Sequence, residues 1–388
     1  MTESIQIKNF GPLKNIQIDK IKPFTVLIGE SGSGKSTLMK LLALCRWLYK
    51  MYNIRSYLQK SKISKSPFRF RMDTYVKNCG FDQYIQSDTE IVYRNQTDSG
   101  NRYEIRLTKN KSSLSILPNF KNIEVKDIAF NKISFISETR NIIPLWADRG
   151  ASFTGSYLGY YFHETYKDFD LATETIKDMD MSFLDVKFKV KKKGSLKNYS
   201  IFSTGTESFE IDFKNSSSGT QTSVPILLIS EYFSKYFKFE DAFNRSVLAY
   251  LSNIDELESF RPVKNLEDIS KKIFIHIEEP ELSLFPNAQC ELMNKLLSNC
   301  FAEKVNLVDL FVSTHSPYFI NHLNLLIKAF DTHNKVNGAS FNYDQLAVYQ
   351  VVEGELENLM VKNERLVNTN PLSETINMIY DQYNALGK

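Results

Sequence analysis

Short apolar runs, each ended by a polar Gly- or Ser-bearing stretch, set the rhythm of this chain. Ser4 to Lys8 and Lys14 to Ile18 alternate apolar and polar residues on either side of Asn9-Phe10-Gly11-Pro12, which predicts two strands joined by a turn. Phe24 to Ile28 is continuously apolar, as expected of a parallel strand covered on both faces. A Gly/Ser loop follows, then a helix from about Lys35 to Met51. Residues 52 to 75 are basic and carry no clear period. Short strands are predicted at Glu90–Tyr93, Tyr103–Leu107, Leu114–Leu117 and Ile133–Ile136. Ala151 to Phe183 reads as helix, Val186–Val190 and Ser208–Phe213 as strands. A loop at Ser216–Gly219 leads into a helix over Gln221–Phe237. Residues 239 to 270 read as a charged helical insertion. Lys272–Ile277 and Leu307–Ser313 are two further buried strands around a helix at Asn287–Leu297. A strand at Gln345–Val352 and a helix near Leu372–Tyr383 complete the pattern. There is no internal repeat and no long heptad pattern.

The chain has 388 residues, which at about 150 per domain allows two to three domains or one large one with insertions. With 42% hydrophobic and 24% charged residues it has the composition of a globular protein, not of a disordered one. Its longest apolar candidate, Val224 to Ile229, falls far short of the ~20 residues a spanning helix needs. The start, MTESIQIKNF, has no basic and apolar leader pattern. Cys45, Cys79, Cys290 and Cys300 are scattered, without metal-like spacing. A cytoplasmic protein with no membrane partner is the expectation. Net charge is only +3, but its distribution is uneven. Arg46, Lys50, Arg55, Lys60, Lys62, Lys65, Arg69 and Arg71 lie in one stretch without an acidic residue, and KFKVKKK covers Lys187 to Lys193.

Candidate chemistry begins at residues 24 to 37, FTVLIGESGSGKST. Gly29, Gly34, Lys35 and Ser36 satisfy G-x-x-x-x-G-K-[ST], between a buried strand and a helix. Glycine lets the backbone wrap phosphate oxygens, and N–H groups at a helix start attract the anion. Gly29, Glu30, Ser31, Gly32, Ser33, Gly34, Lys35, Ser36 and Thr37 are thus the expected nucleotide contacts. Lys35 supplies positive charge to the β- and γ-phosphates and the Ser36 hydroxyl a ligand for Mg2+.

Residues 272 to 286, KIFIHIEEPELSLFP, place two carboxylates at the end of a buried strand. Nucleotide hydrolysis needs one carboxylate near Mg2+ and another to orient the attacking water. Glu278 takes the first role and Glu279 that of general base; His276, inside the strand, reads as a packed core residue. LFVSTHSPYFI repeats the arrangement, with His315 after a buried strand and able to hydrogen-bond the γ-phosphate or the water. In NSSSGTQTSVPILLI, Ser218 and Gly219 begin a helix that offers a second anion-binding surface. Because one chain already has a complete phosphate loop, a head-to-tail dimer explains the second surface, and an ordinary serine cap is the plainer alternative.

GESGSGKST, SSGTQ, IEEPELSLFP and STHSP, in this order, resemble the Walker A, signature, Walker B with D-loop, and H-loop segments of the ABC-type ATPase head. The opening IKNFGPLKNIQI resembles the SMC-like and OLD-like branch of AAA family ATPases, which includes anti-phage defence ATPases such as those of Septu and PARIS systems. The resemblance implies an α/β P-loop NTPase fold of ABC-ATPase type: a mixed sheet with an antiparallel β subdomain and a helical lobe. It implies an N-terminal part of the core at 1–140, with a basic insertion at about 46–88. A lobe carrying the signature at 141–270 and a C-terminal part of the core at 271–388 would follow. ATP and Mg2+ are the implied cofactors, and Ser218, Gly219 and Gln221 would touch the nucleotide. FISETRN resembles a segment of this branch that carries an arginine, which makes Arg140 a further candidate contact. Glu278 stands where the family has Asp, and no Q-loop glutamine can be placed by spacing.

Seventy-six residues between Arg140 and Ser217 carry no sustained heptads, so long coiled-coil arms are not expected. The 73 residues after His315 are short for the Toprim nuclease domain of OLD proteins. The expected function is therefore an ATPase that forms an even-numbered homo-oligomer and regulates a separate effector, a nuclease or toxin. The alternative is a DNA-repair or chromosome-type ATPase acting directly on DNA. DNA or RNA would suit the basic stretch, where Trp47, Tyr49, Tyr52, Tyr57, Phe68 and Phe70 interleave with cations. A solvated face with a packed aromatic side fits the same pattern.

Overall fold

The computed structural model describes residues 1–63, 71–111, 113–147, 159–193, 196–205, 209–254, 256–302 and 304–386. β1 (Thr2–Phe10) and β2 (Leu13–Ile18) form the expected antiparallel pair, and β3 (Phe24–Ile28) is buried along its whole length. α1 (Lys35–Lys60) and α2 (Met72–Asn78) precede β4 (Ile85–Gln96), β5 (Arg102–Asn110), β6 (Ser113–Pro118) and β7 (Ala129–Ile136). α3 (Ile143–Ala147), α4 (Tyr160–Thr175) and the small sheet of β8 (Asp178–Met181), β9 (Val186–Lys193), β10 (Leu196–Ser203) and β11 (Glu210–Asp212) come next. Then follow α5 (Ser218–Glu231), α6 (Phe239–Phe243), α7 (Ala249–Asn253), β12 (Ser270–Glu278), α8 (Pro286–Leu297), β13 (Val308–Thr314) and α9 (Pro317–Asp331). β14 (Leu346–Val352), β15 (Glu355–Asn358), β16 (Met360–Val361), β17 (Leu366–Val367) and α10 (Asn370–Leu386) end the described order.

The main sheet has eleven strands in the order β6-β5-β4-β1-β2-β15-β14-β3-β13-β12-β7. Its β14-β3-β13-β12-β7 portion is parallel, and its β6-β5-β4-β1-β2 portion is antiparallel. The antiparallel unit expected from sequence is therefore joined to the parallel core in one mixed sheet through β15. β3 and β13 are buried at every position, which is why their sequences are apolar without alternation. Register sets the site. Ile28 pairs with Thr314, Glu278 with Ser313, and Ile277 with Ile136. The segments that leave β3, β12, β13 and β7 consequently emerge together at one edge, the usual ligand side of a parallel sheet.

Three expectations change. α1 runs to Lys60, past the Met51 end read from sequence. Asn53 and Ser56 interrupt the apolar pattern there, but both are buried acceptors: Asn53 Oδ1 takes the Ala129 N–H at 2.8 Å and Ser56 Oγ the Ile123 N–H at 2.9 Å. The far half of α1 is covered by the 239–270 insertion, where Phe243 and Phe260 pack on Tyr57 and the Lys264 carbonyl accepts its hydroxyl. Second, the stretch read as helix to Phe183 ends its helix at Thr175 and turns into β8; its residues 151–158 lie outside those described. Third, the basic segment is no stacking platform. Tyr49, Tyr52 and Tyr57 are buried, Trp47 packs on Tyr75, and Arg46 is inside the core. Lys60, Lys62 and Arg71 are exposed, whereas Lys65, Phe68, Arg69 and Phe70 lie outside the described residues.

Candidate active site

The loop from Gly29 to Gly34 joins β3 to α1, as its residue types require. Gly34 has φ 106°, and a Cβ there would stand 2.7 Å from Leu13 Cδ2, so both backbone and space demand glycine. No side chain caps α1 and its first turn has no acidic residue, which leaves the helix start attractive to an anion. The buried Lys35 crosses back over the loop, donating from Nζ to the Gly29 carbonyl at 2.9 Å and the Glu30 carbonyl at 2.7 Å. Burial lowers its pKa, opposed by Glu279, Glu281 and Glu30. Glu30, Ser31 and Gly32 are exposed along the loop, Ser33 and Ser36 partly so, and Thr37 is buried.

The adjacent glutamates part company. Glu278 is the last residue of β12 and is buried; neither carboxylate oxygen has a hydrogen-bond partner in the chain. Lys40 Nζ lies 3.4 Å from Oε1, and the Ser36 hydroxyl and Glu138 carboxyl are its other polar neighbours. Burial, reinforced by Glu138, raises its pKa to about 8. Two carboxylates and a hydroxyl form the oxygen donor set that a hard cation such as Mg2+ takes, and buried oxygens without donors call for a cation. These residues therefore fit Mg2+. Glu138 was not found from sequence; its signal was a carboxylate just past the end of a buried strand, the same position as Glu278.

Glu279 leaves the strand at φ 44°, its N–H donating to the Ser313 carbonyl at 2.8 Å. That turn swings the side chain away from Glu278 into a partly exposed position, where Oε1 meets His315 Nε2 at 3.4 Å. The His315 N–H is fixed in turn by Glu281 Oε1 at 2.6 Å. Lys35, Ser36, Glu138, Glu278, Glu279 and His315 are thus gathered where β3, β7, β12 and β13 end. His276 is the core residue expected, with Nε2 accepting from Arg46 Nη1 at 3.0 Å and Nδ1 facing the Ser134 carbonyl at 3.2 Å.

Arg140 and Gln221, expected to touch nucleotide, are instead spent on backbone. Arg140 is fully buried and donates to the carbonyls of Ser137, Thr222, Glu278 and Glu279. It ties the end of β7, the start of α5 and the catalytic corner together. Gln221 Nε2 donates to the Lys214 carbonyl at 2.8 Å and the Ser216 carbonyl at 2.9 Å, shaping the loop before α5. Ser217, not Ser218, caps α5, accepting the Thr220 N–H. Ser218 remains exposed at the helix start. A Cβ on Gly219 would stand 2.9 Å from Leu284 Cδ2 and 3.0 Å from the Ser283 carbonyl oxygen, so this glycine admits the chain after Glu279 against α5.

Comparison with known proteins places this geometry. The family described as AAA ATPase domain matches residues 1–46 and 48–320. Among solved structures, one similar chain is an SMC head bound to the C-winged helix domain of ScpA, at 9% identity and TM-score 0.45, covering 94% of this chain and 99% of that one. Another is the recombination mediator protein RecF of the RecFOR pathway, at 10% identity and TM-score 0.35, covering 92% and 98%. No curated protein matches.

Proposed function

The chain belongs to the AAA ATPase domain family, and from that premise we propose that it hydrolyses ATP in the presence of Mg2+, with Glu279 as general base. The observation that carries this reading is the divergence of Glu278 and Glu279: one carboxylate buried without hydrogen-bond donors, its neighbour partly exposed against His315. Ser36, Glu278 and Glu138 would hold Mg2+, which when bound neutralises charge on the β- and γ-phosphate oxygens. Lys35 leaves its loop carbonyls for those phosphates. Glu279 accepts the proton of the attacking water, and His315, hydrogen-bonded from its imidazole, orients that water or the γ-phosphate. The exposed Ser218 and the start of α5 complete the site of a second copy in a head-to-tail dimer.

In the wider reading, this ATPase of 1–140, 141–270 and 271–388 segments regulates a separate nuclease or toxin in anti-phage defence. The support for that role is the likeness of the ordered motifs to such systems. Direct action on DNA is the second reading, supported by exposed Lys60, Lys62 and Arg71; with the neighbouring tyrosines packed inward, such a surface offers phosphate contacts without base stacking. Glu279→Gln is the test of the ATPase reading. Hydrolysis should fall by about 10²–10⁴-fold while ATP affinity, measured by calorimetry, holds. A rate within a few-fold of the parent chain would remove the general base from Glu279.

A further inference from the structure

α10 ends the described chain with a long apolar stripe that its own protein does not cover. Ile376 is 51% exposed, Ile379 56%, Tyr380 64%, Tyr383 74% and Leu386 89%. Leu372, one turn before them, is packed against the body and anchors the helix. The spacing Leu372, Ile376, Ile379, Tyr383, Leu386 alternates four and three residues, which is the a/d seam of a two-stranded coiled coil. Ordinary amphipathic helices that lie on their own domain bury such a stripe; this one presents it.

Charge decides what the stripe meets. Glu374 and Asp381, seven residues apart, both fall on the f position, opposite the seam. The flanking e and g positions carry Ser373, Tyr380, Thr375 and Gln382, none of them charged. A partner selected by charge would find no complement beside the seam, whereas an identical helix would find apolar residues facing their own copies and no like-charge repulsion. A lipid surface is disfavoured as well, since the helix has no Lys or Arg on its polar side to meet anionic headgroups. The 17-residue helix is about 25 Å long, too short for pairing to be strong alone; two large bodies held at its base supply the missing effective concentration.

We propose that α10 is a self-association element, pairing in parallel with α10 of a second copy of this chain through Leu372, Ile376, Ile379, Tyr383 and Leu386. The pairing needs no nucleotide, so it is separable from the ATP-dependent dimer proposed above. In the full chain without nucleotide, Ile379→Cys should give a disulfide-linked dimer on mild oxidation, and Asp381→Cys, on the outer face, should not; the parent chain supplies the background of the four native cysteines. Ile379→Asp should halve the molar mass read by light scattering at micromolar concentration, with an unchanged circular-dichroism spectrum because the position is exposed. A parent chain that stays monomeric without nucleotide and shows no Ile379→Cys crosslink above Asp381→Cys would overturn the proposal. Equal crosslinking at both positions would overturn it too, since that is chance collision. Loss of ATPase activity in Glu279→Gln bears on none of these readouts.

Discussion

Arg46 and Arg140 are both buried as completely as any residue of the protein, yet they are held in opposite ways. Arg46 in α1 is matched by a charge. Its Nη2 lies 2.7 Å from Glu3 Oε2, its Nε 3.3 Å from Oε1, and its guanidinium rests 4.0 Å from the Phe274 ring. Burial lowers its pKa, but Glu3 outweighs this and the net shift is upward. Arg140 has no carboxylate hydrogen-bonded to it, only main-chain carbonyls from three separate segments. Burial dominates there and lowers its pKa to about 10. A desolvated cation matched by an anion fastens two elements, here β1 and α1. A desolvated cation matched by backbone dipoles fixes where those backbones run, and here they are the backbones that aim Glu278 and Glu279.

Removing each arginine separates the two roles. Arg46→Ala leaves Glu3 buried without its partner, which should cost about 3–5 kcal/mol of stability, read by denaturant unfolding. Activity per folded molecule should stay within a few-fold, and adding Glu3→Gln should recover part of the loss. Arg140→Lys keeps the charge but loses the planar fork that reaches several carbonyls at once. Its stability loss should be smaller, about 1–3 kcal/mol, while ATP hydrolysis falls by about 10–100-fold, equal to ~1.4–2.7 kcal/mol of barrier, with ATP binding retained. If Arg46→Ala lost the activity and Arg140→Lys kept it, the contrast between the two sites would collapse.

A pH series sharpens the comparison with the smallest effect. Burial raises the Glu3 pKa, but Arg46 beside it brings the net shift below the ordinary 4.5. A carboxyl depressed on folding contributes stability above its unfolded pKa and loses that contribution as pH falls through the folded value. The stability gap between the parent chain and Glu3→Gln should therefore be full near neutrality and shrink below pH 4.5. A gap that is flat with pH would mean that Glu3 is not held as the anion.

Both arginines were visible in the sequence, and both were expected to face a ligand. Arg46 sat in a run of cations among aromatics, and Arg140 in a segment that resembles a site arginine. Their types were correct for buried as well as exposed roles, because a guanidinium can be satisfied by phosphate, carboxylate or carbonyl. Only the partner decides, and Glu3 and Thr222 are far away in sequence. Glu138 was missed for a related reason. Sequence spacing could not tell that β7 lies beside β12, so a carboxylate just past its end carried no weight until the strand order put it next to Glu278.

The sequence by itself determined the phosphate loop, the buried parallel strands and the residues that follow them, because each rests on local chemistry. Glycine is required where Leu13 leaves no space for a Cβ at Gly34, and unbroken apolar runs are required where a strand is covered on both faces. The outer half of α1 was not legible, since Asn53 and Ser56 are polar residues whose helical burial depends on the distant N–H groups of Ala129 and Ile123. The union of both β regions in one sheet, the split between Glu278 and Glu279, and the inward turn of Arg140 and Gln221 were likewise decided only by the tertiary structure. Each depends on which backbone groups meet across the fold, and a buried polar group takes the partner that packing brings to it.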